Sequence, residues 1–415
     1  HLLIADDKGS YIEKFSNQFN KQAMGVTDEE VIQETRRVVE EAVKSRLLSD
    51  VPLGSFLSGG LDSSIVATIA RKYVNQLDTF TIGFEDIEDP YHGRADESNA
   101  ASQYARKLNT KHHAISVDAG TFSELLETFC QYGDQPFAVS SGLGLLAVAK
   151  AAKEAGIKVL LSGDGADEVF GGYSWYEYLP LANKRVSLTT AADCDVSFQN
   201  YGMQAERIVD HLAKYNAHKR AWAWHYYASE AEKKKLFSSD ITGQINSSHR
   251  FFKEYNSQEV WQEENYIRQD RKFYLPNEML KKMDRMTMAY SVEGRAPFVA
   301  PSVLAHADKL KYSHLVRDGS LKWVLRKAFQ DILPKEIIDR PKHGFNVPID
   351  HWLKTSWQYL LEETFSKESY LSKQGIISKD SLKVAKKMVA DPDRLNGHSI
   401  FCFIMMNQWM QRNLS

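Results

Sequence analysis

Cysteine is scarce in this chain: its 415 residues hold three, Cys130, Cys194 and Cys402, far apart and odd in number. There is no CxxC pair and no Cys/His cluster at zinc spacing, which excludes a disulfide framework and that kind of zinc site, and a reducing, cytoplasmic compartment is expected. No apolar run reaches the roughly 18 to 20 residues of a membrane helix. The longest candidate, Ile400–Met406, reads as a buried turn or two of helix, and no membrane partner is expected. A basic excess is lacking too: 52 Lys and Arg stand against 54 Asp and Glu, a formal net charge of −2. Charge therefore gives no support to a non-specific grip on nucleic acid, although a local basic pocket remains open. Missing as well are the two commonest phosphate-loop patterns, GxxxxGK[ST] and GxGxxG, since Gly163-Asp-Gly165 runs on to Glu168 where the third glycine would stand.

What is present is the composition of a globular protein, 43% hydrophobic and 26% charged, long enough for two or three domains with cores of their own. Disordered and fibrous classes are excluded. Residues His1 to Ile12 read as strand, Asp/Gly turn, strand. Either a segment upstream of this hairpin has been removed or the hairpin docks on the body; the first is favoured. Thr27 stands three residues before Glu30, a capping-box signature, and predicts a long amphipathic helix from there to about Ser49.

An alternating pattern follows. Leu53–Leu57, Asp78–Phe84, His113–Val117 and Ile157–Leu161 read as strands, with helices over Ile65–Tyr73, Asp96–Leu108 and Ser140–Ala155 between them. Such alternation predicts right-handed crossovers and a parallel twisted sheet flanked by helices, an α/β fold with ligands at the carboxyl ends of the strands. The sheet portion is expected over about 50–178. Beyond it, over about 179–415, helical stretches dominate, including Gln258–Asp284 and Ser381–Ala390, with a loop over 184–204. The aromatic run Ala221–Tyr227 reads as helix packing, and His112-His113 as a strand-entry pair without a third ligand.

Ser58-Gly-Gly-Leu-Asp-Ser-Ser64 lies between a strand and a helix, where successive backbone N–H groups make an anion nest. Gly59 and Gly60 let the backbone approach a ligand closely. The hydroxyls of Ser58, Ser63 and Ser64 can donate to phosphate, and Asp62 would repel it unless a cation such as Mg2+ lies between.

This heptad resembles the pyrophosphate loop of the ATP pyrophosphatase superfamily. Four further segments narrow the likeness: Asp50-Val-Pro-Leu-Gly54, Leu161-Ser-Gly-Asp-Gly-Ala-Asp-Glu-Val-Phe-Gly-Gly-Tyr173, Met283-Asp-Arg-Met-Thr-Met-Ala-Tyr-Ser-Val-Glu-Gly-Arg-Ala-Pro-Phe298 and Arg340-Pro-Lys-His-Gly-Phe-Asn-Val-Pro348. Together they resemble the synthetase domain of glutamine-dependent asparagine synthetases, in order from about Val31 to Trp409. The resemblance implies MgATP as cosubstrate, adenylation of a carboxylate with release of pyrophosphate, and attack by ammonia drawn from glutamine, giving asparagine when the acid is aspartate. It implies ATP contacts at Leu57 and Ile82, which read equally well as strand core, and at Ser162 and Gly163. Asp62 and Asp167 correspond to a magnesium pair. Asp164 corresponds to an acidic residue beside the acyl-adenylate, and as a residue type also suits a turn between glycines. Lys322 and Lys342 correspond to two lysines facing the phosphates. Glu293 and Arg295 are expected to hold an ion pair or to shape the amino-acid pocket, the structural role ranking higher.

Two departures stand out. Pro297-Phe298 runs into Val299-Ala-Pro301 where the family has an apolar residue and Asp, so a helix cap or a pocket contact is expected to be missing. No N-terminal nucleophilic cysteine is present, so residues 1–26 are expected to be a remnant of an upstream glutaminase domain and linker, and 27–415 the amide-ligase domain. That glutaminase would act in cis or in trans, and a homodimer remains open. The alternatives are a sibling ligase acting on a sugar acid or natural-product precursor, or an inactive nucleotide-binding paralogue. The retained Asp62, Asp164, Asp167, Lys322 and Lys342 argue against the last.

Overall fold

A computed structural model of the chain describes residues 2–7, 9–13, 27–85, 97–184, 220–221, 225, 230–244, 262–340, 347–391 and 396–414. The expected loop over 184–204, Cys194, Lys342 and most of the aromatic run after Ala221 lie outside the described residues, apart from the helical end at Lys184 and His225.

The expected hairpin forms from β1 (Leu2–Asp6) and β2 (Gly9–Glu13), paired antiparallel, with Leu3 and Ile12 exposed. Helix α1 (Asp28–Ser45) starts where the capping box predicts: Glu30 N–H donates to Thr27 Oγ1 and Thr27 N–H to Glu30 Oε2. It stops at Ser45, one turn short of Ser49.

Strands β3 (Leu53–Phe56), β4 (Asp78–Phe84), β5 (Lys111–Val117) and β6 (Val159–Leu161) form within a residue or two of the expected spans. Between them lie α2 (Leu61–Tyr73), α3 (Glu97–Leu108) and, both between β5 and β6, α4 (Ala119–Gly133) and α5 (Ser141–Glu154). After β6 comes the short α6 (Ala166–Phe170). A fifth strand, β7 (Glu293–Arg295), was not expected; with three residues and no apolar alternation it exists because β6 supplies its partner. Every pairing in the sheet is parallel, in the order β5-β4-β3-β6-β7. Chain order reverses at β3, and ligands of open parallel sheets sit beyond the carboxyl ends at such a point.

The sheet is covered on both faces. One core joins α1, α2 and α3 to the helices between Pro301 and Ile338, while a second joins α4 and α5 to the segment from Val347 to Met405. Consecutive residues of β6 point to opposite faces, with Leu161 in the first core and Leu160 in a third, smaller cluster under α5.

The helical stretch expected over Gln258–Asp284 is helical in three pieces where it is described, from Glu263 on. Helix Glu263–Lys272 gives way to a π-helical turn, Leu275–Met279, and then to helix Leu280–Met288; Pro276 offers no N–H to continue the ladder. Helix Ser381–Ala390 has the expected bounds, and Ile400–Met406 is the interior of a longer helix, Gly397–Leu414. Among the described residues no helix is long and apolar enough to cross a membrane.

Candidate active site

Two loops leave the carboxyl ends of β3 and β6 side by side. In the first, Leu57 is fully buried and its N–H donates to Phe80 O at 2.8 Å, which registers the loop on β4. Gly59 turns the chain at φ +75°, and a side chain there would meet the backbone of α3 at Ala101. Ser58 N–H donates to Ser63 Oγ at 3.0 Å, the two hydroxyls lie 3.0 Å apart, and Gly60 N–H points at Ser58 Oγ at 3.3 Å. Helix α2 begins at Leu61, earlier than expected, so Asp62, Ser63 and Ser64 occupy its first turn instead of the loop. That places two hydroxyls and a carboxylate at the positive end of the helix dipole. Ser64 Oγ is buried with no hydrogen-bond partner.

In the second loop, Ser162 N–H donates to Arg295 O at 2.8 Å, continuing the β6–β7 ladder. Ser162 Oγ donates to Asp164 Oδ2 and accepts from Asp164 N–H, so the half-buried Asp164 is oriented by its neighbour. Gly163 packs against the first loop: a Cβ there would lie 2.9 Å from Asp62 Cβ. Gly165, at φ +91°, starts α6 and has no room for a side chain beside Val299.

Lys322 joins the loops. A short hairpin, Val316–Arg317 with Ser320–Leu321, delivers it in the left-handed conformation, φ +54° and ψ 37°, with its N–H on Gly171 O. Its side chain is 4% exposed, and its ammonium lies 2.5 Å from Asp62 Oδ2 and 2.6 Å from Asp167 Oδ1. Gly172 gives that side chain its path, because a Cβ there would overlap Lys322 Cε and Asp167 Oδ1.

Beside Asp167 the fold buries a second acid that the sequence reading did not single out. Burial and the neighbouring Asp167 charge push the Glu168 carboxyl up to about 7, and Tyr173 donates to it at 2.6 Å. Its only sequence signal was its place in the run Asp164 to Glu168. Tyr173 in turn packs edge-on to Tyr274, which stacks on His225, itself 2.7 Å from Asp270.

The structure thus brings together Ser58, Gly59, Gly60, Asp62, Ser63, Ser64, Ser162, Gly163, Asp164, Asp167 and Lys322. Leu57 and Ile82 pack into the cores, as strand residues do. Glu293 and Arg295 form the expected ion pair at 2.8 Å, and Arg295 also donates to Arg46 O and Leu48 O, tying β7 to the end of α1. Lys342 lies outside the described residues. At the Val299-Ala-Pro301 departure, helix Pro301–Ala307 starts with no side-chain cap; Pro301 at its first position needs no partner for an N–H.

The donor set suits a divalent cation. Asp62 and Asp167 stand in the first turns of α2 and α6, beyond the ends of β3 and β6, and Asp62 Oδ1 is buried with no hydrogen-bond partner although Oδ2 takes the lysine. Hard cations prefer such carboxylate oxygens. A nest of backbone N–H groups and hydroxyls opposite a carboxylate pair can hold a polyphosphate through a bridging cation.

Comparison with known proteins places the chain in a family. An asparagine synthetase of Bacillus subtilis, named as glutamine-hydrolysing, is 29% identical over 375 residues, covering 86% of this chain and 56% of the relative. A putative glutamine-hydrolysing asparagine synthetase of Mycobacterium bovis is 30% identical over 348 residues, 79% of this chain and 50% of the relative. A Penicillium rubens protein named as the amidase chyE is 26% identical over 375 residues, 79% of this chain and 54% of the relative. The chain spans about half the length of these relatives. Residues 34–411 match the family model described as asparagine synthase, a span that takes in both loops, the Lys322 hairpin and the covering helices. The chain belongs to the asparagine synthase family.

Proposed function

We propose that this chain forms an amide: it adenylates a carboxylate with MgATP, most simply the side chain of aspartate, releases pyrophosphate, and lets ammonia displace AMP to give asparagine. The observation that carries this reading is the buried ion triad of Lys322, Asp62 and Asp167 between two Gly/Ser loops at the strand ends. Charge of both signs is held there out of water, where it acts on a polyphosphate most strongly.

Ser58, Ser63 and the N–H groups of the first loop bind the phosphates, while Gly59 lets that loop lie against α3 and Gly163 lets the second loop lie against Asp62. Asp62 and Asp167 would hold Mg2+, which when bound draws charge from the phosphate oxygens as pyrophosphate leaves. Lys322 and Lys342 supply ammonium groups against the developing charge. Asp164, oriented by Ser162, accepts a proton as ammonia becomes the amide nitrogen. Packing of the two loops against each other excludes water that would hydrolyse the adenylate. The ammonia is proposed to come from glutamine, through a glutaminase domain in cis or in trans, and the setting to be cytoplasmic.

The test is a reaction with MgATP, ammonium and aspartate followed by mass spectrometry for AMP, pyrophosphate and asparagine. The expected result is all three products, with Asp62→Asn lowering the rate at least ~100-fold. A sibling reading, amidation of a different acid, draws on the Val299-Ala-Pro301 departure and the Penicillium relative named as an amidase. AMP formation with other acids but not with aspartate would move the assignment there. Failure of an intact, folded protein to cleave ATP with any acid would sink both.

A further inference from the structure

The Lys322 ammonium lies between the two carboxylates proposed to hold the cation, 2.5 Å from one and 2.6 Å from the other. A divalent ion bridging those same two oxygens from between them cannot take that position while the ammonium fills it. An ion coordinated at about 2.0–2.1 Å would sit almost on top of the lysine nitrogen, and like charges at such a separation repel strongly in a site with little water. We propose that Lys322 is the built-in occupant of the cation position: it holds Asp62 and Asp167 together until a divalent cation arrives, and the cation displaces it toward the phosphate loop.

Several features of the chain fit an exchanging occupant better than a fixed structural ion pair. The lysine leaves one ligand atom unused, because Asp62 Oδ1 is buried without a hydrogen-bond partner. Two carboxylates against one ammonium leave the triad a net negative charge, which a divalent ion would neutralise. The residue is Lys, a point charge on four rotatable carbons, and not Arg, whose planar fork would lock on to a carboxylate. Its backbone is held at φ +54° by the hairpin and by the bond to Gly171 O, so the strain stays in the main chain while the side chain can swing. Gly172 clears the path that the stem follows. Arg326, one turn further on, keeps a second positive charge close to Asp62 while its guanidinium is tied to Leu321 O and Arg340 O. It is not placed to leave. The consequence is coupling: free cation binds weakly because it must evict the lysine, whereas cation arriving with ATP brings phosphates that receive the ammonium.

The inference rests on the proposed cation role of Asp62 and Asp167, and the experiment separates the two. Mn2+ binding is measured without nucleotide by the loss of its free electron-paramagnetic-resonance signal, and with the α,β-methylene analogue of ATP by the further change that the protein makes to the signal of the Mn2+–analogue complex. Without nucleotide, Lys322→Gln is expected to bind Mn2+ about tenfold or more tighter than wild type, and adding Asp62→Asn should remove the gain. In the wild-type chain, reductive methylation of Lys322, read by peptide mass spectrometry, should rise several-fold when Mn2+ is added. This second measurement decides alone if the Gln variant does not fold. Equal Mn2+ affinity in both proteins with unchanged methylation, while the wild type still binds Mn2+ with the analogue, overturns the exchange and leaves the cation pair standing. No Mn2+ binding in either protein under either condition overturns the cation pair and the exchange with it.

Discussion

Position 172 has no room for even a methyl group, because the stem of Lys322 and a carboxylate oxygen of Asp167 already fill that space. Gly172→Ala should therefore push Lys322 off the carboxylates, lowering stability by about 1–3 kcal/mol in urea denaturation and amide formation along with it. A second residue-scale prediction concerns Glu278, in the π-helical turn. Burial pushes its carboxyl up to about 7, while His225 and Lys282 pull the other way. In the unfolded chain the proton leaves near the ordinary 4.5, so between those values the unfolded state binds fewer protons than the folded one. Stability from this group is thus full below 4.5 and lost as pH rises to about 7. Glu278→Gln should flatten that decline, improving on wild type by about 3 kcal/mol more at pH 8 than at pH 4; parallel curves for the two proteins would refute it. The loop residues were legible because Ser, Gly and Asp at those spacings carry their own chemistry. Glu278, Gly172 and the Lys322 contact were not. Lys322 meets Asp62 across 260 positions, and a clearance or a burial has no local signal.

Among the elements, α1 shows how a surface helix of alternating charge is fixed to the body. Its buried Thr35 lies 2.7 Å from Nε2 of the buried His306, on helix Pro301–Ala307. Burial pushes the imidazole down to about 4, against the pull of Glu34 and with the help of Lys309 and Arg37. Because the unfolded chain takes up this proton near 6.5, stability from the group is present above that value and lost as pH falls toward 4. Replacing His306 with Gln, which keeps a hydrogen-bonding end toward Thr35, should remove up to about 3 kcal/mol of acid sensitivity between pH 7 and pH 4. Thermal denaturation across that range reads it, and an unchanged acid slope would sink the idea. The capping box of α1 and the strands through β6 were legible, since periodicity and cap chemistry are local. Strand β7 was not, because its three residues become a strand only beside β6. Nor does the alternation predict α4, a second helix between β5 and β6, although its start carries a local cap, Thr121 N–H donating to Asp118 Oδ1 at 2.7 Å.

On the scale of the whole molecule, the site is closed by segments that sequence keeps far apart. The carboxyl ends of β3 and β6 belong to one sheet, but the cation that ties their carboxylates comes from a hairpin beyond Val316, after the chain has built most of the first core. Residues near 60, 165 and 320 must all be in place before the site exists, so a nucleotide that binds there binds only the folded chain. Linkage then requires it to stabilise the whole, by about 2.7 kcal/mol when present at 100 times its dissociation constant. The expected observation is a rise in melting temperature with Mg2+ and the α,β-methylene analogue of ATP, together with slowed amide exchange in the Val316–Leu321 hairpin as well as in the loop from Ser58 to Ser64. Asp62→Asn should lose the thermal shift. Lys322→Gln should lose the added protection of the hairpin while keeping that of the loop, because in this fold Lys322 is the side chain through which the hairpin reaches Asp62 and Asp167. Protection of the loop alone in the wild-type chain would mean that the hairpin takes no part in nucleotide binding, and that the Lys322 contact with Asp62 and Asp167 is structural only.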